Sequence, residues 1–284
     1  MTATAAMDDV MQFLPLDKSW LMRLGLLDVL HDSSQTITFL AKQPAISADL
    51  VALSRASGAW RTGAAVDVGE SGTLYRFLQF ADWKERGNRT FIKHGTLKDR
   101  KIVDDPSIVR WSLGELLKLD NGTSQWASAA VLCGNNEPKP SPLPYKLALT
   151  YEALEHWKDT QEHGTSWKER RDETILNQTA AYVHWRETGV MKFAPEQAED
   201  YCFARAFDLM TPAEGEARWP SLRQHESDRI EAMEIALNQD VVDSKDHRVV
   251  QAVAMRRGTD TTFAYPDVVS KSWPLFWDMM RVTS

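Results

Sequence analysis

A short stretch late in the sequence, RQHESDRIEAM at residues 223–233, combines a group that binds anions with groups that move protons. Arg229 carries a fixed positive charge, while His225 and Glu226 can exchange protons. The stretch then becomes apolar, which predicts the first turn of a helix. Two interpretations are open. Glu226 and Arg229 form either an ordinary i, i+3 pair on a solvated surface, or a site that holds an anion beside a proton-transfer group.

Five other polar turns, most of them bearing a cation, precede an expected helix. Exposed backbone amides at a helix start, with the helix dipole behind them, bind phosphate or carboxylate. Taken alone, each turn is better explained by a surface ion pair or a simple helix cap, and only the order of the turns along the chain favours a shared site. The turns are Lys18-Ser19 with Arg23, Gly72-Thr73 with Arg76, Thr123-Ser124-Gln125, Asp246-His247-Arg248, and Lys271-Ser272.

The elements that must position these turns are predicted from hydrophobic periodicity. A helix is expected from Lys18–Ser19, and a short strand ending at Val68 is followed by a second helix. The same design of polar turn and helix recurs at 122–133 and at 245–258, where Gly258 is a stop signal. A final strand, turn and helix follow from residue 265, residues 136–144 form a loop, and the charged stretch 155–192 forms solvated helix. The fold class is therefore α/β.

Composition excludes several classes of partner. The chain has 284 residues and a net charge of −7, so a nucleic-acid or anionic membrane surface is not expected. It has no signal-peptide pattern and no 18-residue apolar run, which predicts a cytoplasmic protein without a membrane segment. Cys133 and Cys202 stand outside any CxxC pair and are predicted to be reduced thiols.

Common catalytic and cofactor motifs are absent from the sequence. There is no GxxxxGK[ST], GxGxxG or GxSxG motif. The histidines show no HExxH motif and no close Cys/His spacing, so no metal is expected. We expect no cofactor.

The polar turns, in their order along the chain, resemble motifs of the enolpyruvyl transferases, in particular the 3-phosphoshikimate 1-carboxyvinyltransferase (EPSP synthase) type. The first resembles the Lys-Ser-xxx-Arg of that family, and the last two resemble its Asp-His-Arg and Lys-Ser-x-Pro-x-Phe endings. The matching segments run from residue 18 to residue 277: KSWLMR, ESGTLYRFL, LKDRKI, TSQWASAAVL, RQHESDRIEAM, DHRVVQAVAM and VVSKSWPLFW.

The resemblance implies an architecture as well as a site. Members of the family have two domains built from repeated βαβαββ units, with the active site in the cleft between the domains. This chain is shorter, so we expect an abridged version with an N-terminal α/β domain at 18–155. A C-terminal α/β domain at 156–284 would include residues 1–17. We expect a monomer.

The resemblance also implies the reaction and the residues that perform it. The family transfers the enolpyruvyl group of phosphoenolpyruvate to a hydroxyl of shikimate 3-phosphate and releases phosphate. Proton transfer would involve Lys18 and Glu226, with His225 at the position of a family lysine. Phosphoenolpyruvate would be held by Lys18, Gly72, Gln125, Arg229, Arg248 and Lys271, and the acceptor by Ser19, Arg23, Thr123, Ser124, Gln125 and Gln197.

Four positions depart from the family pattern. Glu70 replaces an asparagine, Thr96 an arginine, His225 a lysine, and Gln197, or its neighbour Glu196, stands where the family has an acceptor-site aspartate. These departures keep an alternative open: a descendant that binds a phosphorylated ligand without turnover or with another acceptor.

A transferase for a UDP-sugar is disfavoured. That branch of the family has Asn after its lysine, whereas Ser19 follows Lys18 here. It also uses a loop cysteine, and residues 91–102 contain none.

Overall fold

The computed structural model of the chain describes residues 3–119, 124–164, 167–224 and 227–283. Helix makes up 61% of the structure and strand 4%, so the predicted α/β class is confirmed in a form dominated by helices. No helix in this described part combines the length and apolar character needed to cross a bilayer. The helices are α1 Ala3–Met11, α2 Lys18–Leu30, α3 Gln35–Leu40, α4 Ala48–Thr62, α5 Gly72–Lys84, α6 Leu113–Leu116, α7 Gln125–Leu132, α8 Tyr145–His163, α9 Glu173–Thr188, α10 Tyr201–Ala206, α11 Pro212–Arg218, α12 Arg229–Asn238, α13 His247–Arg257 and α14 Phe276–Thr283.

The strands are short and pair in parallel. They are β1 Val66–Asp67, β2 Phe91–Ile92, β3 Val241–Val242 and β4 Thr262–Phe263. Strand β1 pairs with β2, and β3 pairs with β4. Each pair is the minimum sheet that a strand-helix-strand connection can form.

The chain divides into two compact units. The N-terminal unit is Lys18–Arg170, and the C-terminal unit combines Met1–Asp17 with Arg171–Ser284. The boundary predicted between residues 155 and 156 lies inside α8, which continues to His163. Helix α8 packs against α2 and α7 of the N-terminal unit, so its whole length belongs there.

Each unit contains one strand-helix-strand segment, and the two segments share their spacing. In the N-terminal unit α5 begins five residues after Asp67 ends β1, and in the C-terminal unit α13 begins five residues after Val242 ends β3. Both helices are capped by a side chain, since Ser71 accepts from the Leu74 amide and Asp246 from the Arg248 amide. Such caps satisfy amides that the helix itself leaves unpaired.

Helix α2 is the centre of the N-terminal unit. It packs against α3, α4, α5, α7 and α8, and its residues from Trp20 to Val29 are all buried. A helix that is buried on every side is expected to be apolar all round, which is why α2 shows little amphipathic pattern in the sequence. Its first residue, Lys18, is thereby held in a fixed place.

The C-terminal unit is built around α13. This helix packs against α10, α12 and the 3-10 segment Pro266–Lys271. The first residues of the chain join this unit, because α1 packs on α9 and α14 and the Trp273 indole donates to the Phe13 carbonyl at 2.7 Å. The start of α13 is therefore fixed from several directions.

Two predictions about local structure are wrong. The strand expected from residue 265 is a 3-10 helix, Pro266–Lys271, with proline in its first turn, where its fixed φ and missing amide are tolerated. The charged stretch 155–192 contains the end of α8 and the whole of α9, with residues 167–172 outside helix, and α9 is not simply solvated. It buries Ile175, Tyr182 and Val183 in the core of the C-terminal unit.

Substitution by alanine is expected to change stability in opposite directions at two glycines of the N-terminal unit. A Cβ on Gly25 in α2 would lie 2.6 Å from Cδ1 of buried Leu53 in α4, whereas a Cβ on Gly58 in α4 would meet nothing within 4 Å. We expect Gly25→Ala to lower the free energy of unfolding by about 1 kcal/mol or more through overpacking. Gly58→Ala should raise it by about 0.5–1 kcal/mol.

Urea unfolding of the two variants measures both effects on the same scale. Stabilisation by both substitutions would contradict the close contact between α2 and α4.

Candidate functional site

Lys18 is half-buried at the first position of α2 and forms an ion pair. Its Nζ donates to Oδ2 of Asp49 at 2.9 Å, and the side chains are 21% and 9% exposed. Asp49 lies in the first turn of α4. Sequence reasoning missed Asp49, because a single acidic residue 31 positions away carries no motif. The pair holds the ammonium group in one place.

Gly72 gives two arginines room at the start of α5. A Cβ at this position would lie 2.9 Å from Nη1 of Arg76 and 3.1 Å from Nη1 of Arg100. Arg76 Nη1 also donates to the Gly72 carbonyl at 3.0 Å. The structure therefore places two guanidinium groups beside the backbone turn that was predicted to bind an anion. Sequence reasoning missed Arg100 as a site residue, although it lies in the quoted LKDRKI segment.

Two of the positions that depart from the family pattern lie in contact. Oε2 of Glu70 accepts from the amide and from the hydroxyl of Thr96, each at 3.4 Å. The Thr96 hydroxyl in turn accepts from Nη2 of Arg100 at 3.0 Å. The carboxylate of Glu70 therefore shares a hydrogen-bonded chain with a cation of the Gly72 turn, which offsets its negative charge locally.

Arg23 lies in α2 and forms hydrogen bonds with residues of three helices of the N-terminal unit. It is buried, its Nε donates to the Thr150 hydroxyl at 2.7 Å, and Nη2 reaches the Ser128 hydroxyl at 3.3 Å and the Lys146 carbonyl at 2.8 Å. Nη1 donates to the carbonyl of Ser19 at 2.6 Å. These bonds hold α2 against α7 and α8. Arg23 therefore fixes the position of the helix that carries Lys18, independently of its proposed role in acceptor binding.

The start of α7 presents a buried acceptor atom. Ser124 adopts a left-handed backbone, with φ of +59°, and is buried at the N-cap. Oε1 of the next residue, Gln125, is buried without a hydrogen-bond partner among the described residues. A buried amide oxygen of this kind costs free energy until a donor reaches it. Thr123, the third residue predicted for this turn, lies outside the described residues.

In the C-terminal unit Asp246 joins two of the predicted anion-binding residues. Its Oδ2 accepts from Nε of Arg229 at 2.9 Å and from the Ser227 hydroxyl at 3.0 Å, while Oδ1 accepts from Nη2 of Arg229 at 3.3 Å. Oδ1 also caps α13 by accepting from the Arg248 amide at 2.9 Å. Asp246 is thus a two-pronged partner of Arg229 as well as a helix cap.

Arg229, Asp246 and Arg248 form a buried cluster at the start of α13. The three residues are 4%, 2% and 6% exposed, and the carboxylate of Asp246 pairs with the guanidinium of Arg229 and accepts from the backbone amide of Arg248. Nη1 of Arg248 is buried and has no hydrogen-bond partner within the described residues. The neighbouring Cys202 thiol is not an anionic partner for Arg248, because burial raises the pKa of the thiol to about 12. A buried guanidinium donor without a partner is unfavourable until an acceptor reaches it.

Lys271 and Gln197 complete the predicted set in the C-terminal unit. Lys271 ends the 3-10 segment that packs on α13 and is half-buried. Gln197 precedes a 3-10 turn whose Asp200 is buried, and the amides of Glu196 and Gln197 both donate to Oδ2 of Asp200, at 2.9 and 3.0 Å. The nearby carboxylate is therefore used to hold the backbone.

The remaining predicted catalytic residues, His225 and Glu226, lie outside the described residues. Their relation to Arg229 stays a prediction. In the part of the chain that the structure covers, no group of three His, Cys, Asp or Glu side chains is arranged to hold a metal ion.

Comparison of the chain with protein-family models, with curated proteins and with solved structures finds no match.

Proposed function

We propose that the chain transfers the enolpyruvyl group of phosphoenolpyruvate to a hydroxyl of shikimate 3-phosphate and releases phosphate, as an abridged member of the enolpyruvyl transferases. The observation that carries the proposal is the Arg229–Asp246–Arg248 cluster. It is buried, and Nη1 of Arg248 in it lacks a hydrogen-bond partner among the described residues. A phosphate or carboxylate oxygen of the substrate would accept from this nitrogen.

Both substrates of the proposed reaction carry several negative charges that the protein must balance. Phosphoenolpyruvate and shikimate 3-phosphate are polyanions, and unit charges about 4 Å apart repel by about 4 kcal/mol at an effective dielectric near 20. Arg76 and Arg100 beside Gly72 and the free donor of Arg248 are suited to such groups, because a guanidinium fork matches carboxylate and phosphate oxygens.

The chemistry requires proton transfer in both directions. A proton is added to the methylene carbon of phosphoenolpyruvate, and the acceptor hydroxyl loses its proton as its oxygen bonds to the neighbouring carbon. Loss of phosphate and of a methyl proton then restores the double bond. We assign these steps to Lys18 and Glu226, with His225 as a further candidate for proton transfer. The ion pair with Asp49 keeps the Lys18 ammonium in a defined position, which general acid catalysis needs.

A phosphate-release assay tests the proposal. The purified protein is expected to release phosphate from phosphoenolpyruvate only when shikimate 3-phosphate is present, and other phosphorylated cyclic alcohols should serve as controls for the acceptor. Release that does not depend on any acceptor would indicate a phosphatase and contradict the proposal.

A second candidate is a protein that binds the phosphorylated acceptor without turnover. The observation that favours it is the contact of Glu70 with Thr96, which places a carboxylate and a hydroxyl where the family has an amide and an arginine. Tight binding of shikimate 3-phosphate together with no release of phosphate would support this candidate.

A further inference from the structure

The N-terminal unit contains a cleft of about 720 Å³ that the proposed transfer reaction does not use. It is bordered by Leu30, Lys84 and Leu132, the last residues of α2, α5 and α7. The proposed site residues Lys18, Gly72 and Gln125 begin those same helices. Helices α2 and α5 are 13 residues long, which separates their two ends by about 18 Å at the usual rise per residue. The cleft is therefore a distinct feature.

The interior of the cleft is suited to an apolar group. Leu30, Val131, Leu132 and Leu154 contribute to its lining. Its volume lies in the range of about 300–1,000 Å³ that is typical of small-molecule sites. A ring-sized hydrocarbon would fit such a space and displace water from it.

Tyr151 borders the cleft and carries an unsatisfied polar atom. Its hydroxyl oxygen is buried and has no hydrogen-bond partner among the described residues. Burial raises the pKa of this phenol, with a smaller contribution from Glu137, so the hydroxyl keeps its proton and can donate it. A buried hydroxyl without a partner is unfavourable, and an acceptor on a ligand in the cleft would relieve it.

The rim of the cleft is positively charged. Lys84, Lys139 and Lys158 border it and are exposed. Among the described residues Lys84 and Lys158 form no ion pair, whereas Nζ of Lys139 lies 4.0 Å from Oε1 of Glu155 and 4.6 Å from the centre of the Tyr151 ring. Three lysines around one opening favour a ligand with a negative group.

The carboxylates at the rim are engaged elsewhere. Oε2 of Glu137 accepts from the Leu113 amide at 2.9 Å, and Oε2 of Glu85 accepts from Nη1 of Arg89 at 3.3 Å. These bonds orient the two carboxylates, and the lining as a whole has three lysines against two glutamates, which leaves a net positive charge at the opening.

We propose that this cleft binds a small carboxylate with an apolar, ring-sized body, whose carboxylate accepts from the Tyr151 hydroxyl while its body packs among the leucines. Binding is non-covalent. Cys133 also borders the cleft, but burial raises the pKa of its thiol to about 12, so the nucleophilic thiolate is scarce near neutral pH.

Three probes of matched shape test the charge preference. Saturation-transfer NMR of the full chain would compare phenylacetate, phenethyl alcohol and phenethylamine. We expect a dissociation constant of about 1 mM or tighter for phenylacetate. The amine should bind about tenfold more weakly, since the lysines repel it. Equal binding of the three probes, or no binding of phenylacetate, would overturn the proposal.

Two pairs of variants locate the binding. Leu154→Trp fills the cleft and should abolish phenylacetate binding, whereas Leu143→Trp, at an exposed leucine outside the lining, should leave it unchanged. Tyr151→Phe should weaken binding at least about threefold without lowering the thermal unfolding temperature, because the hydroxyl that it removes has no partner to lose. Tyr265→Phe, at an exposed tyrosine in the other unit, is the matched control.

Unchanged affinity in both Leu154→Trp and Tyr151→Phe would show that phenylacetate binds elsewhere and would overturn the proposal. None of these measurements depends on phosphoenolpyruvate or on phosphate release. A negative result for the cleft would therefore leave the transferase proposal untouched, and the reverse is also true.

Discussion

Replacing Arg229 with alanine is expected to lower the free energy of unfolding by about 3–5 kcal/mol, because it leaves the carboxylate of Asp246 buried without its two-pronged partner. Asp246 is 2% exposed and accepts from two nitrogens of Arg229, at 2.9 and 3.3 Å. Chemical denaturation monitored by tryptophan fluorescence measures the loss.

Arg205 provides the matched control for this effect. It makes a similar two-pronged bond to Glu234, at 2.6 and 3.1 Å, but the side chains are 19% and 39% exposed. Solvent screens such a pair, so Arg205→Ala should cost about 1 kcal/mol or less. Equal losses for the two variants would contradict the buried ion pair.

Arg229→Lys separates stability from function. It keeps the charge that balances Asp246 and loses the planar fork. If Arg229 also binds phosphoenolpyruvate, the affinity of the lysine variant for that substrate should fall by about 2 kcal/mol, which calorimetry can detect in the folded protein. Unchanged affinity in a folded Arg229→Lys variant would remove Arg229 from the proposed site.

Replacing Lys18 with methionine is expected to lower the rate of phosphate release by a factor of about 100 to 10,000, the usual contribution of a positioned acid or base. Methionine preserves much of the length and the apolar stem of lysine but cannot donate a proton. The variant should stay folded, because Lys18 is only half-buried and the side-chain bond that it loses among the described residues is the one to Asp49. The assay compares turnover with and without shikimate 3-phosphate.

Asp49→Asn is the companion variant. It keeps the ammonium of Lys18 and removes the charge that positions it, so its activity should lie between those of the parent and of Lys18→Met. A fully active Lys18→Met variant would contradict the role of Lys18, and the assignment of the proton steps would have to move to other residues.

The starts of the helices could be predicted from the sequence because their signals are local. Helix α2 begins at Lys18, and α5 begins at Gly72 after a strand that ends close to Val68. The cap at Asp246 and the stop at Gly258 are also confirmed. In each case a polar turn beside apolar residues that recur every 3.6 positions is enough to locate the end of the helix.

Contacts between distant residues could not be predicted in the same way. The bond of Lys18 to Asp49 spans 31 residues, and that of Glu70 to Thr96 spans 26. Glu70 and Thr96 taken separately suggest two losses from an anion site, whereas together with Arg100 they form one hydrogen-bonded chain. Single-residue comparison with a motif cannot detect such a compensation.

Tertiary packing also overrode two local signals. The valines in Pro266–Lys271 favour a strand by composition, but Pro266 starts a 3-10 helix whose Val269 is buried. In α9 the many charged residues conceal an apolar face that includes Ile175 and Val183. Both segments pack inside the C-terminal unit, a context that is not visible in a window of a few residues.

The proposed transfer of an enolpyruvyl group is best tested by identifying its product. Phosphoenolpyruvate labelled isotopically at its enol carbon would be incubated with shikimate 3-phosphate and the protein, and the reaction followed by NMR. We expect a labelled vinyl ether on the acceptor and an equal amount of inorganic phosphate. Phosphoenolpyruvate that stays intact, or phosphate that forms together with labelled pyruvate and no vinyl ether, would contradict it.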